Sequence, residues 1–174
     1  MDLLTREHVA QALGLVAFLI SLVGYTSASD RRLKTMMTVG LVFLTVHFMV
    51  FGAWLAALSL ALNTVRTWVS LHRRGTRWFA GIATIQLAAS LPLIGAVRDV
   101  FPVAGSIVGT YGLFCLSGVR LRVALLITTG LWFVNNLMWG SIGAVLLDGM
   151  NALAHLVAIH RIRAAAKATL PEHS

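Results

Sequence analysis

The sequence predicts an all-α polytopic membrane protein with seven transmembrane helices. Of its 174 residues, 58% are hydrophobic and only 11% are charged, and the mean hydropathy is +0.84. A soluble domain carries about 25% charged residues, so the charged residues here are too few to cover a water-soluble globule. The apolar residues also form long runs separated by short basic segments, which is typical of a chain that crosses a bilayer several times.

The charge and the cysteine content exclude several classes of function. The net charge is +8, but the basic residues interrupt apolar runs instead of forming a solvated patch, so we expect no nucleic-acid partner. A single cysteine, Cys115, excludes an internal disulfide and a CxxC redox or zinc motif. Because the chain has no HExxH motif and no paired carboxylates or Ser/His pair at motif spacing, we expect no enzyme, no metal site and no cofactor.

The lengths of the apolar runs set the predicted helices. About 20 residues of α-helix cross a hydrocarbon core roughly 30 Å thick. This length predicts seven spans, at 9–27, 34–51, 53–72, 78–97, 100–117, 121–139 and 141–160. Phe51-Gly52 and Gly140-Ser141 are minimal turns, so the helices on either side of each must be antiparallel neighbours. Pro92 interrupts the fourth span, where neighbouring helices can satisfy the carbonyl that a proline frees.

Lysine and arginine residues are distributed unevenly between the two predicted faces of the membrane. Eleven of the fourteen fall on one face: Arg31, Arg32, Lys34, Arg73, Arg74, Arg77, Arg120, Arg122, Arg161, Arg163 and Lys167. Arg6 and Arg98 fall on the other face, and Arg66 lies within a span. Because basic loops remain in the cytoplasm, the distribution predicts an N-terminus outside and a C-terminus inside.

The sequence contains an internal repeat. A shift of 88 residues aligns 13–74 with 101–162 without a gap, and 12 of the 62 positions are identical. The informative identities are Gly24/Gly112, Arg32/Arg120, Gly52/Gly140, Asn63/Asn151, His72/His160 and Arg73/Arg161. The chain is therefore predicted to be a single membrane domain, 1–174, whose parts are a three-helix repeat (9–72), a connector helix (78–97), a second repeat (100–162) and a cytoplasmic tail (163–174). One inserted span gives both repeats the same orientation, as in one class of transporters.

This 3+1+3 plan of parallel repeats resembles the SWEET and PQ-loop superfamily of sugar and metabolite transporters. The whole chain also looks like the bacterial YgjV-type inner-membrane proteins. The resemblance implies a multi-pass protein of the bacterial inner membrane that moves a small polar solute, a sugar or other metabolite, through a central cavity between the repeats. Some relatives of this fold sort proteins instead, so a non-transporting receptor or scaffold is the alternative. The lipid bilayer is a further expected partner, and self-association is left open.

Paired asparagines are the leading candidates for solute contact. Asn63 and Asn151 each follow a glycine turn by eleven residues, or about 16 Å of helix, which places both near the bilayer midplane. SWEET-like proteins use asparagines on the third helix of each repeat to hydrogen-bond their substrate, and these two match those positions. Parallel repeats predict that both face a shared cavity. The alternative is that each amide joins two helices by a hydrogen bond, which is common in membranes.

Three charged or titratable residues in the predicted spans are also candidates. Asp148 is the one acidic residue deep in a span, where a carboxylate is costly and marks a functional site by default. Asp148, Asn151 and His155 are spaced i, i+3 and i+7 on one helix face, so Asp148 and His155 can carry a coupled proton. The structural alternative is that Asp148 neutralises Arg66 on the third span, or that Arg66 snorkels to the cytoplasmic side.

Four further polar or aromatic residues complete the predicted site. His47 and Asn135 align between the repeats near the outer ends of their spans, and Asn136 follows directly. These three predict an outer vestibule or gate, with hydrogen bonding at helix ends as the alternative. Trp132 lies deeper on the sixth span, where it can stack on a solute ring or pack in the core.

The charge distribution yields a direct test of topology. A C-terminal reporter that is active only in the cytoplasm should be active, and a reporter that is active only in the periplasm should be silent. The same pair inserted after Gly52, on the predicted outer face, should give the opposite result. A C-terminal fusion that is active only in the periplasm would contradict the predicted orientation.

Overall fold

The computed structural model describes residues 3–52, 54–95, 97–138 and 142–168, which include seven α-helices. The helices are α1 (Leu3–Tyr25), α2 (Asp30–Val50), α3 (Trp54–His72), α4 (Thr76–Ser90), α5 (Val100–Cys115), α6 (Gly118–Met138) and α7 (Ile142–Ala168). Four of them, α1, α2, α6 and α7, are long and apolar enough to cross a membrane, and α5 is apolar but has 16 residues. The prediction of an all-helical chain with membrane-spanning helices is confirmed.

Local sequence determines where α2 begins and ends. Ser29 is its N-cap, and the Ser29 side chain accepts a hydrogen bond from the backbone N–H of Arg32, so α2 starts four residues before the predicted span. After α2 the chain turns at Gly52, whose φ of +78° favours glycine. The corresponding predicted turn at Gly140-Ser141 lies outside the described residues.

The fourth predicted span, 78–97, is wrong at its C-terminal end. α4 stops at Ser90, and two short 3-10 helices follow at Leu91–Leu93 and Val97–Asp99. Pro92 lies in the first of these and has no N–H to continue the α-helical hydrogen bonding. The 15 residues of α4 rise about 22 Å, which is less than the thickness of a hydrocarbon core.

The other helix ends also depart from the predicted bounds. α1 begins at Leu3, six residues before the predicted start at 9. α7 continues to Ala168, so 163–168, predicted as part of a cytoplasmic tail, is helical. Residues 169–174 lie outside the described part of the chain.

The helices form two compact units, Met1–His72 and Arg73–Ser174. In the first unit α2 packs against both α1 and α3, and in the second α6 packs against both α5 and α7. The first unit ends at the same residue as the first predicted repeat. The predicted connector helix, α4, belongs to the second unit and packs against α5.

Glycines allow close approach of helices at matching positions of the two units. An added Cβ at Gly24 of α1 would lie 2.6 Å from the Cβ of Met36, and one at Gly112 of α5 would lie 2.9 Å from the Cβ of Ala124. Both residues of the second contact are 88 positions beyond those of the first. Small residues at such interfaces let helix backbones pack closely in a membrane.

The two units expose many large apolar side chains and bury several polar ones. Large apolar side chains such as Leu62, Ile85 and Leu146 are 64–69% exposed. Many polar and charged side chains are instead buried, among them Lys34, Thr67, Ser70, Thr110, Arg122, Asn135 and His155. Because lipid cannot hydrogen-bond a polar group, this pattern is the one expected of a chain whose outer surface meets lipid.

The glycine contacts predict which small substitutions the fold tolerates. Gly24→Ala and Gly112→Ala should each lower the free energy of unfolding by about 1–3 kcal/mol, because the added methyl group overpacks a helix interface. Gly130→Ala on α6 is the matched control, since an added Cβ there meets no atom within 4 Å. Thermal unfolding in detergent should show lower Tm values for the first two variants and an equal or higher Tm for the control. Equal Tm values for all three would contradict the close approach.

Candidate functional site

Five polar residues of the predicted site lie on the antiparallel helices α6 and α7 of the second unit. We call them the α6–α7 polar row: Asn135, Asn136, Asp148, Asn151 and His155. Apolar residues of α7 such as Leu147, Met150 and Leu153 are exposed, whereas Asp148 and Asn151 are partly buried and His155 is buried. The polar residues of α7 therefore share the inward side of the helix, as their spacing predicts.

A short hydrogen-bonded chain links the two helices at one end of this row. The side-chain amide of Asn136 donates to Oδ2 of Asp148 at 2.8 Å, and the amide of Asn135 donates to Oδ1 of Asn136 at 3.5 Å. Oδ1 of Asn135 is buried and has no hydrogen-bond partner among the described residues. Since an unsatisfied buried acceptor costs about 1–3 kcal/mol, this oxygen is a place where a solute or water can donate.

The link between Asn136 and Asp148 was not predicted from the sequence. The spacing grouped Asp148 with residues of its own helix and grouped Asn136 with an outer vestibule, whereas the structure joins the two groups. The predicted antiparallel hairpin could have indicated this hydrogen bond, because it places the residues before and after the predicted turn at 140 on neighbouring helices.

A buried arginine lies at the other end of the row. Arg122, which the prediction counts with the cytoplasmic face at the start of the sixth span, lies in the second turn of α6 and is fully buried. Its guanidinium group is close enough to His155 for the two to interact electrostatically. The α6–α7 interface thus carries a carboxylate towards one end and a cation towards the other.

Lys34 occupies the aligned position in the first unit, and its side chain is also buried. It is the first residue of the predicted second span, and it lies in the second turn of α2, where it is 4% exposed. Its Nζ donates to the backbone carbonyl of Ser70, near the end of α3, at 3.0 Å. The sequence did contain a sign of both buried cations, because the 88-residue shift aligns Lys34 with Arg122. A count of identical residues does not include this pair, since lysine and arginine differ.

The polar residues of α3 form the site of the first unit. Asn63 and Arg66 are partly buried, and Arg66 interacts electrostatically with Tyr25 of α1. The hydroxyl of Thr67 donates to the Asn63 carbonyl at 2.9 Å, and the hydroxyl of Ser70 donates to the Thr67 carbonyl at 2.7 Å. These hydroxyls are therefore satisfied by the backbone of their own helix.

The two asparagines differ from these hydroxyls. No hydrogen bond joins the side-chain amide of Asn63 or Asn151 to another of the described residues. Asn63 belongs to the first unit and Asn151 to the second, and the shared cavity stays a prediction.

His47 and Trp132 make contacts that serve packing. Nδ1 of His47 lies 2.6 Å from the carbonyl oxygen of Ala10 on α1, and the His47 ring packs edge-on against Phe51. The His47 contact joins α2 to a carbonyl within α1. The indole of Trp132 lies against Gly105 of α5, which corresponds to the packing alternative.

Comparisons with known proteins agree with a membrane location. The chain matches, over residues 8–166, the family described as "Imp-YgjV: Bacterial inner membrane protein". It is similar to "Inner membrane protein YgjV" of Escherichia coli (strain K12), with 31% identity over 146 residues that cover 84% of this chain and 80% of that protein. No solved structure matches the chain. The family match spans every candidate site residue.

A double-mutant cycle tests the link between α6 and α7. Asn136→Ala and Asp148→Ala should each destabilise the protein, and together by less than the sum, because the second change finds the hydrogen bond already lost. The coupling energy should be about 0.6–2 kcal/mol, the range for polar pairs between membrane helices. The control cycle combines Asp148→Ala with Leu137→Ala, since Leu137 is an exposed neighbour of Asn136. In this cycle the two changes in the free energy of unfolding should add. Additivity in both cycles would show that the hydrogen bond adds nothing to stability.

Proposed function

We propose that this chain, which belongs to the YgjV family of bacterial inner membrane proteins, transports a small polar metabolite or facilitates its passage. We also propose that it is not an enzyme. The observation that carries the proposal is the pair of partly buried asparagines, Asn63 and Asn151, whose amides bond to none of the described residues. An amide left unsatisfied in hydrocarbon costs several kcal/mol, and a hydroxyl, amine or carboxylate of a passing solute would satisfy it.

Recurring features of the two units support the SWEET-like plan of this proposal. α2 at Asp30–Val50 and α6 at Gly118–Met138 have bounds that differ by 88 residues, and α3 and α7 begin 88 residues apart. We therefore propose a 3+1+3 repeat with seven spans, a periplasmic N-terminus and a cytoplasmic C-terminus. The odd span is formed by α4 together with the 3-10 helix that directly follows it, Leu91–Leu93. In this arrangement Asn63 and Asn151 have the same place in equivalent helices.

The charges suit a solute that carries groups of both signs. In the second unit the polar row includes the carboxylate of Asp148, with Arg122 buried near its far end. In the first unit Arg66 is the partly buried cation of α3. A polar or zwitterionic metabolite can interact with both kinds of group, whereas a purely apolar solute would leave them unsatisfied.

Flux through reconstituted vesicles tests the proposal. The purified protein in proteoliposomes should carry at least one member of a panel of sugars, amino acids and small organic acids. Asn63→Ala and Asn151→Ala should each lower that flux by about tenfold or more, the effect of losing one solute hydrogen bond. Thr64→Ala on α3 is the control, since the Thr64 hydroxyl already donates to the Leu60 carbonyl of its own helix.

Two outcomes would count against the proposal. Flux that is unchanged in both asparagine variants would contradict the proposed contact of Asn63 and Asn151 with the solute. Binding without flux for the whole panel would favour the receptor or scaffold instead. The variants should keep wild-type Tm values, so that a loss of flux is not a loss of fold.

Asp148→Asn tests whether the carboxylate carries a proton. If Asp148 exchanges a proton during transport, the amide variant should lose the dependence of flux on external pH, because an amide does not titrate in this range. If Asp148 is structural, the variant should keep the pH profile of the wild type and lower only the Tm. The measurement is initial flux at a series of external pH values at fixed internal pH.

A further inference from the structure

The turn between α3 and α4, together with the first half of α4, forms a surface that the proposed transport does not use. Three arginines lie in or next to this turn: Arg73, Arg74 and Arg77. Beside them is a groove of about 450 Å³, which we call the α4 groove; its lining residues are Arg77, Trp78, Gly81, Ile82 and Ile85.

The end of α5 fixes the backbone of this turn. The N–H of Gly75, which has φ of +108°, donates to the Phe114 carbonyl at 2.9 Å, and Nη2 of Arg74 donates to the Leu116 carbonyl at 2.6 Å. Carbonyl groups at a helix C-terminus lack partners within the helix, so both bonds satisfy groups that need a donor. Arg73 and Arg77 thus project from an anchored segment.

The opposite face of α4 is the one that packs inside the unit. Ala83 is buried, the ring of Phe79 packs edge-on against Tyr111 with centroids 5.3 Å apart, and Oε1 of Gln86 accepts a hydrogen bond from Thr110 at 2.7 Å. The groove face is turned away from these contacts, and Ile85 there is 69% exposed. The groove therefore opens to the surroundings of the protein.

Charge and polarity change in order along the groove. The arginines lie at one end, where the guanidinium carbon of Arg73 is 5.6 Å from the centroid of the Trp78 ring. Gly81, Ile82 and Ile85 follow, so that residues 77 to 85 extend about 12 Å along the helix axis. Cation, indole and aliphatic surface in this order complement the phosphate, the interfacial region and the acyl chain of a phospholipid.

We propose that the α4 groove is a binding site for an anionic phospholipid. The lipid phosphate pairs with Arg73 and Arg77, and one acyl chain lies over Gly81 towards Ile85. Gly81 leaves room for the chain, since an added Cβ there meets no atom within 4 Å. An apolar surface without charged residues binds lipids of any headgroup, whereas the two arginines favour a negatively charged headgroup. The site does not depend on the proposed transport.

Quenching of Trp78 fluorescence by brominated lipid tests the proposal. The full chain is prepared with Trp54, Trp68, Trp132 and Trp139 each replaced by Phe, so that Trp78 is the single tryptophan. It is reconstituted in phosphatidylcholine vesicles that contain a small, equal fraction of either brominated phosphatidylglycerol or brominated phosphatidylcholine. Quenching should favour the brominated phosphatidylglycerol, which gives a relative binding constant above one.

Two variants separate the charge from the groove. Arg77→Gln should reduce the relative binding constant about fivefold, which corresponds to about 1 kcal/mol for one arginine near anionic lipid. Gly81→Leu fills the groove without a change of charge and should also reduce the preference. Arg32→Gln, at an exposed arginine of α2, removes the same charge elsewhere and should leave the preference unchanged.

Each remaining outcome would overturn the site. Equal quenching by both brominated lipids would show an ordinary lipid-facing surface. A preference that Arg32→Gln reduces as much as Arg77→Gln would show a general effect of net charge. Weak quenching by both lipids, together with cross-linking between copies through α4, would assign the groove to self-association.

Discussion

Hydrocarbon offers no hydrogen bonds, and this constraint accounts for the polar side chains that are buried within the two units. Leu62, Ile85 and Leu146 are exposed, while Lys34, Arg122, Asn135 and His155 are buried. The same constraint limits how a buried polar group can be satisfied. Thr67 and Ser70 bond to their own helix, Asn136 bonds to Asp148, and Lys34 bonds to a helix end.

The two buried cations lie at positions that the 88-residue shift aligns, and they make different contacts. Lys34 reaches the carbonyl of Ser70, which lies in the last turn of α3 and needs a donor from outside the helix. At the aligned position, Ala158, α7 continues for ten more residues, so the carbonyl there is inside the helix. Arg122 instead lies near His155. Lys34 thus donates a hydrogen bond at the end of α3, whereas Arg122 places a positive charge beside the α6–α7 polar row.

The sequence was sufficient to predict the turn after α2, because a glycine follows the apolar run there, and Gly52 has the positive φ of such a turn. The start of α2 was missed by four residues, because the Ser29 cap and not the apolar run sets where the helix begins. Predictions failed where tertiary contacts decide the outcome. Pro92 ends α4 instead of being accommodated within it, and the position of Arg122 at the start of a predicted span did not reveal that its side chain is buried. The bond between Asn136 and Asp148 depends on which faces of two helices meet, which spacing along one helix does not reveal.

Chemical accessibility of position 151 tests most directly whether mid-depth polar residues line an aqueous path. Asn151→Cys is made in a Cys115→Ser background and treated in sealed vesicles with a membrane-impermeant, thiol-specific reagent. Leu153→Cys, at a position 64% exposed on the outer side of α7, is the lipid-facing control. We expect labelling of Asn151→Cys, protection by a transported solute and no labelling of Leu153→Cys. If neither Asn151→Cys nor Leu153→Cys is labelled, the result would contradict an aqueous path at Asn151 and the proposed role of Asn151 in transport.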